Sequence, residues 1–485
     1  MGARRQQTGP QRQLELFAEP LSRGPGATGE GGTGPGAHGE QRVPTALSEG
    51  RALAQNLMER ICRPANLNKA YQRVKANKGS PGVDGLCVHE LGDWLRTNKD
   101  ELIASLMDGS YKPQPIKRVD IPKPGGGMRQ LGIPTTVDRV IQQAILQVLT
   151  PILDPTFSES SYGFRPGRGA HDALTQASRY VEQGRTIVVD CDLEKFFDRV
   201  NHDILMSRLA RRIGDKRLLR IIRRFLTAGI MTNGVCVTRY EGTPQGGPLS
   251  PILANLLLDD LDKELERRGH CFCRYADDCN IYVQSPAAGE RVMESITRFL
   301  ETRLKLRVNR IKSAVAHVSE RKFLGYRLHA EGRLVIAPQS MKRAKARIRE
   351  LTRRNRSMPF DECIRKLNEF LTGWVTYFQL AIHRKQFRNL DAWIRRKLRC
   401  FRLKQCKRAF AIAKFLMERG VPEWSSWIMA LSGKGWWRKS LTPQACHAMT
   451  NDWFDKQGLV NLNTRYLKLT SNGNRRGTEQ VCPVV

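Results

Sequence analysis

Two acidic stretches of this sequence contain the residues best suited to bind a divalent metal ion. The tetrapeptide Tyr-Ala-Asp-Asp at residues 275–278 supplies Asp277 and Asp278, and an apolar run at residues 186–192 supplies further aspartates. Mg²⁺ prefers oxygen ligands, and two such ions about 3.5–4 Å apart can stabilise both the attacking and the leaving oxygen of a phosphoryl transfer. Two aspartates at a turn usually have no catalytic role, because Asp suits turns. The upstream carboxylate is therefore what favours a metal site.

Strands are expected to position both stretches. Residues 271–274 and 279–283 are rich in aromatic, β-branched and cysteine side chains, which predicts a hairpin with the aspartate pair at its turn. The run at residues 186–192 predicts another strand. Because side chains alternate along a strand, Asp190 and Asp192 lie on the same face, and periodicity does not decide which of them binds metal.

Three motifs resemble, in this order, the palm of a reverse transcriptase, and specifically that of bacterial group II intron proteins. They are Asp-Leu-Glu-Lys-Phe-Phe-Asp at residues 192–198, Thr-Pro-Gln-Gly-Gly-Pro-Leu-Ser-Pro at residues 243–251, and the tetrapeptide at residues 275–278. The resemblance implies that Asp192 and Asp277 bind two Mg²⁺ ions.

The same resemblance assigns roles to three neighbouring residues. It implies that Asp278 is the less direct third carboxylate of the catalytic set, and that Leu193 is among the metal ligands. It also implies that Phe197, five residues after Asp192, excludes a ribose 2′-OH and so selects deoxynucleotides.

A glycine-rich hairpin and two later residues complete the expected nucleotide pocket. Residues 119–134 form two short strands around a Gly-rich turn, and Lys123 and Arg129 flank that turn. Without the palm motifs this is an exposed basic hairpin. With them it resembles the family's fingertip, where both residues would clamp the incoming triphosphate. The resemblance also places Gln245 against the nascent base pair, while Lys312 is either a general acid for pyrophosphate departure or a plain surface lysine.

The charge of the chain indicates a polyanionic partner. Its 485 residues contain 81 Lys and Arg against 47 Asp and Glu, with a net charge of +34 and a pI near 10.2. From residue 341 to the end there are 31 basic and 10 acidic residues. The run at residues 161–171 resembles one that the family places against template and primer, so Arg165 and Arg168 are candidates for backbone contacts.

The last third of the chain combines apolar stripes at helical spacing with strongly basic opposite faces. The stripes predict core, whereas the basic faces resemble the thumb, or maturase, region with which this family binds intron RNA. The thumb residues expected to bind nucleic acid are Arg395, Arg396, Arg399 and Arg402. A small DNA-binding segment is expected beyond them, with contacts from Trp436, Trp437 and Arg438, and its Trp pair could alternatively be packed.

These assignments predict an α+β fold of the right-hand polymerase type, with fingers, a palm built on an antiparallel sheet, a helical thumb and a small basic C-terminal segment. The Gly/Pro-rich leader is predicted to be disordered, although residues 14–17 could dock. The expected boundaries are 1–50 for the leader, 51–185 for the N-terminal extension and fingers, 186–335 for the palm, 336–430 for the thumb, and 431–485 for the DNA-binding segment. Many relatives end in a zinc-supported nuclease, which this chain is expected to lack.

Cysteine usage and hydropathy predict a reduced, cytoplasmic protein. The 12 cysteines are scattered without a Cys-x-x-Cys pair, which argues against a zinc site and against a disulfide framework. No apolar run reaches membrane-spanning length, and the N-terminus is not signal-like. In a bacterial cell the protein would then be cytoplasmic and nucleoid-associated, with no membrane contact.

The function expected from the motifs is RNA-directed DNA synthesis with Mg²⁺, joined to binding of the encoding intron RNA for its splicing and retrohoming. The partners would be intron RNA, target or primer DNA, and dNTPs, and the sequence does not indicate an oligomeric state. Two alternatives stay open: a splicing chaperone with a vestigial polymerase, and a host-adopted reverse transcriptase used in DNA repair or defence. The intact set of three aspartates argues against the first.

Overall fold

Helices and small sheets position the acidic motifs in the computed structural model, which describes residues 16–17, 56–122, 126–232, 235–355 and 357–472. The described chain divides into two compact units, each assembled from separate stretches of sequence. The first contains the described residues up to Pro166 with Cys191–Cys279 and Glu290–Ala314, and the second contains Gly167–Asp190, Asn280–Gly289 and the described residues from Val315 onward. The five consecutive domains expected from the sequence are not these units, and their boundaries remain predictions.

Helices outnumber strands in the described chain. The helices are α1 (Leu57–Ile61), α2 (Pro64–Ala76), α3 (Leu91–Met107), α4 (Thr136–Leu153), α5 (Ala170–Glu182), α6 (His202–Ala210), α7 (Lys216–Thr227), α8 (Ser250–Arg267), α9 (Pro286–Phe299), α10 (Pro338–Leu351), α11 (Phe360–Tyr377), α12 (Arg384–Gln405), α13 (Ala409–Met417), α14 (Glu423–Leu431), α15 (Trp436–Lys439), α16 (Pro443–Ala448), α17 (Asn451–Lys456) and α18 (Leu462–Asn472). The strands are β1 (Ile116–Pro122), β2 (Met128–Ile133), β3 (Ile187–Cys191), β4 (Ile230–Thr232), β5 (Val235–Val237), β6 (Cys271–Tyr275), β7 (Asp278–Val283), β8 (Ala314–His317), β9 (Tyr326–Leu328) and β10 (Leu334–Ile336). Within the described ranges, no helix is both long enough and apolar enough to cross a membrane.

Three small sheets contain these strands. The first has the order β2-β1-β4-β5, in which β1 and β2 pair antiparallel with Ile121 opposite Arg129. The second pairs β10 with β9, and the third has the order β6-β7-β3-β8. The glycine-rich hairpin expected from the sequence is confirmed by the pairing of β1 with β2. Lys123, which was expected at its tip, lies outside the described residues.

Capping side chains determine where several helices begin. Asp215 accepts the N–H groups of Arg217 (3.0 Å) and Leu218 (3.4 Å) at the start of α7, and its other oxygen accepts the N–H of Met58 in α1 (3.0 Å). The guanidinium of Arg217 in turn contacts both Asp215 (3.1 Å) and Glu59 (2.8 Å). A side-chain oxygen at an N-cap satisfies otherwise unpaired N–H groups, so one buried carboxylate joins two helices of the first unit.

Two residues of the leader pack against α2. The amide of Asn68 accepts the N–H groups of Leu16 and Phe17, both at 3.1 Å, and donates to the carbonyl of Phe17 at 2.9 Å. The side chains of Leu16 and Phe17 are buried. Docking of this short segment, which the sequence left open, is therefore confirmed for these two residues. The remaining leader residues lie outside the described part of the chain.

The second unit is built mainly from the helices that follow β10. Leu367 and Leu371 of α11 and Leu398 of α12 are fully buried, as the apolar stripes predict. Asp391 of α12 accepts the N–H groups of Leu462 and Asn463 at 3.0 Å, which fixes the start of α18 against α12. These contacts give the basic helix α12 a rigid position within its unit.

Candidate active site

A buried arginine holds the turn that carries Asp277. Arg274, at the end of β6, is fully buried and donates to both carboxylate oxygens of Asp262 in α8, at 2.7 and 2.5 Å. It also donates to the carbonyl of Ala276 at 2.8 Å. Ala276 has a φ of +58°, a left-handed conformation that a residue with a Cβ seldom adopts. The arginine therefore stabilises an otherwise unfavourable turn one residue before the catalytic candidate.

A glycine in the loop at residues 161–163 allows that loop to lie directly against the turn. A Cβ at Gly163 would come within 2.4 Å of the Ala276 nitrogen, closer than any real contact. The Gly163 carbonyl accepts the Nδ2 of Asn255 at 2.8 Å, and the Tyr162 N–H donates to the Arg274 carbonyl at 2.9 Å. The Ser-Tyr-Gly-Phe run thus supports the aspartate turn, a role that the sequence did not predict.

The structure distinguishes between the two upstream aspartates. Asp190 accepts the Nε and Nη2 of Arg321 at 2.9 and 2.6 Å, and its side chain is 14% exposed. Asp192 lies one residue beyond β3 and its side chain is 40% exposed. Because Asp190 is already bound as an ion pair, Asp192 is the carboxylate that is suited to a metal.

Asp192 is held by a turn that follows in the sequence. Its N–H donates to the Oγ of Ser313 at 3.0 Å, and its carbonyl accepts the N–H of Asn309 at 2.8 Å. The Nζ of Lys312 in the same turn lies 3.7 Å from the Oδ1 of Asp192. The Lys312 side chain is 65% exposed, so an ordinary surface ion pair also accounts for this contact.

Asp192 and Asp277 interact electrostatically across the site. Burial raises the pKa of Asp277, the negative charge of Asp192 raises it further, and Arg129 and Arg274 oppose both effects. A largely buried carboxylate beside a second negative charge, with only partial cationic compensation, is an environment that a divalent cation would stabilise. The oxygens of Asp192, Asp277 and Asp278 do not all lie within 4.8 Å of one another.

Leu193 can contribute only through its main chain. Its antiparallel bridge to Val308 is closed by the hydrogen bonds of the flanking residues, from Asn309 to Asp192 and from Glu194 to Arg307. In this geometry the bridged residue uses neither its own N–H nor its own C=O toward the partner strand. The Leu193 carbonyl is thus not used by that bridge, and the backbone and carboxylate oxygens together suit a hard cation such as Mg²⁺.

Two predicted nucleotide-binding residues contact each other directly. The Nε of Arg129 in β2 donates to the Oε1 of Gln245 at 2.9 Å, and the Gln245 carbonyl accepts the N–H of Gly132 at 2.8 Å. Gly246 has a φ of +131°, and a Cβ there would lie 2.5 Å from the Gly132 carbonyl oxygen. The fingertip strand is therefore docked on the Gln-Gly-Gly turn, which brings together residues 116 positions apart in the sequence.

Phe197 is fixed to the segment that leads to this turn. Its carbonyl accepts the N–H of Thr243 at 2.6 Å, and its half-buried ring meets buried Phe196 edge-on with centroids 5.1 Å apart. The Nε2 of His202 lies 2.7 Å from the carbonyl of Gly242. Burial lowers the pKa of His202, which favours the neutral ring as the hydrogen-bond donor. The expected sugar-selecting residue thus has a rigid backbone.

Arg165 does not have the exposed position expected of a phosphate-binding residue. Its side chain is 3% exposed and its Nε donates to the Oδ1 of Asp154 at 2.8 Å. Its Nη1 also donates to the carbonyl of Ser161 at 3.0 Å. The contact of Arg165 with template or primer stays a prediction, and the structure shows its donors in use inside the protein. Arg168 is half-buried, and its role remains a prediction.

The basic helix α12 and the Trp-containing segment pack against each other. The guanidinium of Arg396 lies 3.9 Å from the ring centroid of Trp437 and donates to the Trp437 carbonyl at 3.1 Å. Arg399 donates to the Met449 carbonyl at 3.0 and 2.9 Å. Two groups of residues expected to bind nucleic acid separately are thus joined within one unit.

The other residues of this region that were expected to bind nucleic acid differ in how many contacts they make within the protein. Arg402 lies 5.0 Å from the ring centroid of Phe415, and Trp436 is contacted by Lys404 at 5.7 Å. Arg438 is exposed, as is expected of a residue that binds nucleic acid. Which of these residues touches nucleic acid remains a prediction.

Comparison with known proteins connects this site to a family. The family described as "Reverse transcriptase (RNA-dependent DNA polymerase)" matches residues 121–328, and "Group II intron, maturase-specific domain" matches residues 341–418. Protein YkfC of Escherichia coli (strain K12) is 34% identical over 315 residues, which cover 56% of this chain and 83% of YkfC. The group II intron-encoded protein LtrA of Lactococcus lactis subsp. cremoris is 38% identical over 204 residues, which cover 42% of this chain and 34% of LtrA. Among solved structures, the "Partial Cas6-RT-Cas1--Cas2 complex" is 28% identical with a TM-score of 0.35, over 51% of this chain and 43% of that chain.

Replacing Gly163 by Ala should destabilise the protein. The added Cβ would meet the Ala276 nitrogen, and overpacking of this kind costs about 1–3 kcal/mol of the free energy of unfolding. Urea unfolding of the full chain measures this quantity. Gly214→Ala is the matched control, since a Cβ there meets nothing within 4 Å. Equal unfolding midpoints for the two variants would contradict the close approach at the turn.

Proposed function

The chain belongs to the group II intron reverse transcriptase and maturase family, and we propose that it synthesises DNA on an RNA template and also binds its encoding intron RNA. The chain spans 83% of YkfC but only 34% of LtrA, so the activity of the whole protein is inferred and not carried over from a relative. The observation that carries the proposal is the coupling of Asp192 with Asp277 inside the region that matches the reverse transcriptase family.

Polymerases of this family use divalent metal ions, and we propose two Mg²⁺ ions held by Asp192, Asp277 and the carbonyl of Leu193. Bound there, the ions would polarise the reacting phosphoryl group and activate the primer hydroxyl. Asp278 follows directly at the start of β7 and is proposed to support the site less directly. The rigid turn beneath Asp277 would hold its carboxylate in position before substrate arrives, which reduces the reorganisation needed for catalysis.

Cationic residues around the pair are proposed to bind the triphosphate. Arg129 acts electrostatically on Asp277 while its Nε binds Gln245, so its guanidinium lies near both the carboxylates and the base-pair turn. Lys312, 3.7 Å from Asp192, is placed to neutralise charge on the departing pyrophosphate. Lys123 is proposed to help at the fingertip, on the resemblance alone.

Nucleic acid is the partner class that the family and the charge support. The match to the maturase-specific domain covers residues 341–418, and the chain from residue 341 onward contains 31 basic and 10 acidic residues. Intron RNA, a DNA target or primer, and dNTPs are therefore the proposed partners, with the protein acting on nucleic acid in the bacterial cytoplasm. Phosphate contacts by Lys and Arg make such binding fall steeply with salt.

The test of this function is primer extension by the purified full chain. A labelled DNA primer on an RNA template should be extended with dNTPs and Mg²⁺ and should not be extended when EDTA is present. Precursor RNA that contains the encoding intron, incubated with the same protein, measures splicing assistance separately. Assistance without extension would instead support a splicing chaperone with a vestigial polymerase.

Asp277→Asn should abolish extension while leaving RNA affinity unchanged. The substitution keeps the side chain's size but removes a charged metal ligand, so we expect a rate loss of at least about a hundredfold. Extension rate and RNA binding by fluorescence anisotropy are measured on the same preparation. Asp203→Asn is the control, because Asp203 of α6 is an exposed carboxylate that pairs with Arg223 of α7. Wild-type extension by Asp277→Asn would refute the assignment of the catalytic residue.

Phe197→Ala should admit ribonucleotides. Removing the ring opens space beside the sugar, so discrimination between dNTP and rNTP should fall more than the rate of dNTP incorporation does. The ratio of kcat/KM for the two substrates, measured on one template, reports this change. Phe410→Ala, which removes a 65% exposed ring from the other unit, serves as the control. An unchanged ratio would mean that another residue selects the sugar.

A further inference from the structure

Trp393 of α12 lies among cations that have no carboxylate partner within the described ranges. Lys345, Arg349 and Lys397 lie 6.0, 5.5 and 5.8 Å from the centroid of its ring. Three arginines follow closely on the same helix: Arg395, Arg396 and Arg399. Among the residues that the structure describes, no carboxylate oxygen lies within 4.0 Å of the charged groups of these six cations.

Other cations of the same unit show the opposite behaviour. Arg347 of α10 lies 2.7 Å from Glu350, and Arg365 of α11 contacts both Glu362 and Glu369. Asp391 acts on Arg395 at longer range, but its own oxygens accept N–H groups of α18. Uncompensated like charges in one place repel one another, and a bound anion removes that repulsion. The cluster around Trp393 therefore differs from an ordinary solvated helix face.

A cleft of about 410 Å³ opens beside this cluster. It is lined by the arginines Arg395, Arg396 and Arg399 together with Trp393, Ala392, Leu441 and Asn451. Leu441 is 56% exposed, although most leucines of this unit are buried. The Nε of Arg396 is buried and has no hydrogen-bond partner among the described residues. The lining thus combines guanidinium groups with apolar side chains and one amide.

The combination of charged and apolar lining selects among anionic ligands. Inorganic phosphate or the backbone of a regular duplex would use the arginines but would leave the apolar part of the lining without a partner. A nucleotide that has left its stack presents a phosphate at one end and a flat, largely apolar base at the other. The volume lies within the range of ordinary ligand pockets and is suited to one such unit.

We propose that this cleft, bounded by Trp393, Arg395, Arg399, Leu441 and Asn451, binds one unstacked nucleotide of an RNA strand. The inference rests on the proposed RNA-binding function and adds to it a defined subsite. Arg395 and the neighbouring guanidiniums hold the phosphate, while Leu441 and Ala392 cover the base. Recognition of this kind favours loops, bulges and single strands over regular duplex.

The test uses two substitutions with different signatures. Arg395→Gln should weaken binding of a fluorescein-labelled twelve-nucleotide RNA strand and should reduce the log–log salt slope by about 0.7, the value for one phosphate contact on a single strand. Leu441→Ser should weaken the same binding about fivefold to tenfold and leave the slope unchanged, because it removes apolar contact and no charge. Both losses should be larger for the single strand than for a duplex of equal length.

Matched controls come from the same unit. Arg365→Gln removes an exposed arginine that is already paired with carboxylates, and Leu431→Ser removes a 70% exposed leucine from α14, outside the cleft. Both controls should bind the two probes like the wild type. Thermal unfolding of all four variants identifies any loss of binding that follows from misfolding, and a destabilised Leu441→Ser is replaced by Leu441→Thr.

Three outcomes would overturn the proposal. Leu441→Ser with the affinity of Leu431→Ser would mean that the cleft holds backbone phosphate alone. Equal losses for strand and duplex would exclude an unstacked nucleotide. Displacement of the labelled strand by millimolar uridine monophosphate would indicate a site for free nucleotides. A wild-type chain that binds neither probe would instead refute the proposed RNA-binding function itself, so the two failures are distinguishable.

Discussion

The geometry of the turn that carries Asp277 depends on one buried ion pair, between Arg274 and Asp262. Both side chains are fully buried, and two hydrogen bonds of 2.7 and 2.5 Å join them. Removing one partner of such a pair costs about 3–5 kcal/mol, since the other charge is left buried and uncompensated. The pair therefore has to form for this part of the first unit to fold. Its remaining donors go to Asn255, Ser161 and the carbonyl of Ala276. One side chain thus fixes a helix, a loop and the catalytic turn together.

Backbone contacts also hold the residues that are proposed to bind the nucleotide. Phe197 is tied to Thr243, and Gln245 is tied to Gly132, in each case through main-chain hydrogen bonds of 2.6 to 2.8 Å. Glycines make this possible, because at Gly163 and Gly246 the approach of another backbone leaves no room for a Cβ. The glycines of the Ser-Tyr-Gly-Phe and Gln-Gly-Gly runs thus have a steric explanation that does not depend on contact with substrate.

The two hairpins could be predicted from the sequence of neighbouring residues, whereas the partners of charged side chains could not. The hairpin around residues 275–278 and the glycine-rich hairpin follow from composition and turn residues within a dozen positions. Whether Asp190 or Asp192 is suited to metal depends on Arg321, which is 131 positions away from Asp190. The internal partners of Arg165 could not be predicted for a similar reason, because arginines that bind phosphate and arginines that bind buried carbonyls look alike in a sequence. Periodicity reports which face a residue occupies, but only the folded chain reports what lies opposite that face.

The distinction between arginines used inside the protein and arginines available to phosphate also affects how the large positive charge is interpreted. A net charge counts every cation equally, whereas the four arginines of α12 that were expected to bind nucleic acid fall into two classes. Arg396 and Arg399 donate to main-chain carbonyls, and Arg402 covers an aromatic ring, so each contributes to the packing of its own unit. Arg395 has neither kind of contact among the described residues, and it lines the cleft. A cation that keeps its internal hydrogen bonds releases fewer counterions when a phosphate approaches than one whose donors are all available. The electrostatic affinity of this region for nucleic acid is therefore set by arginines with available donors, such as Arg395, and not by the total charge. Substituting Arg396, Arg399 or Arg402 would weaken binding mainly by destabilising the packing of the unit.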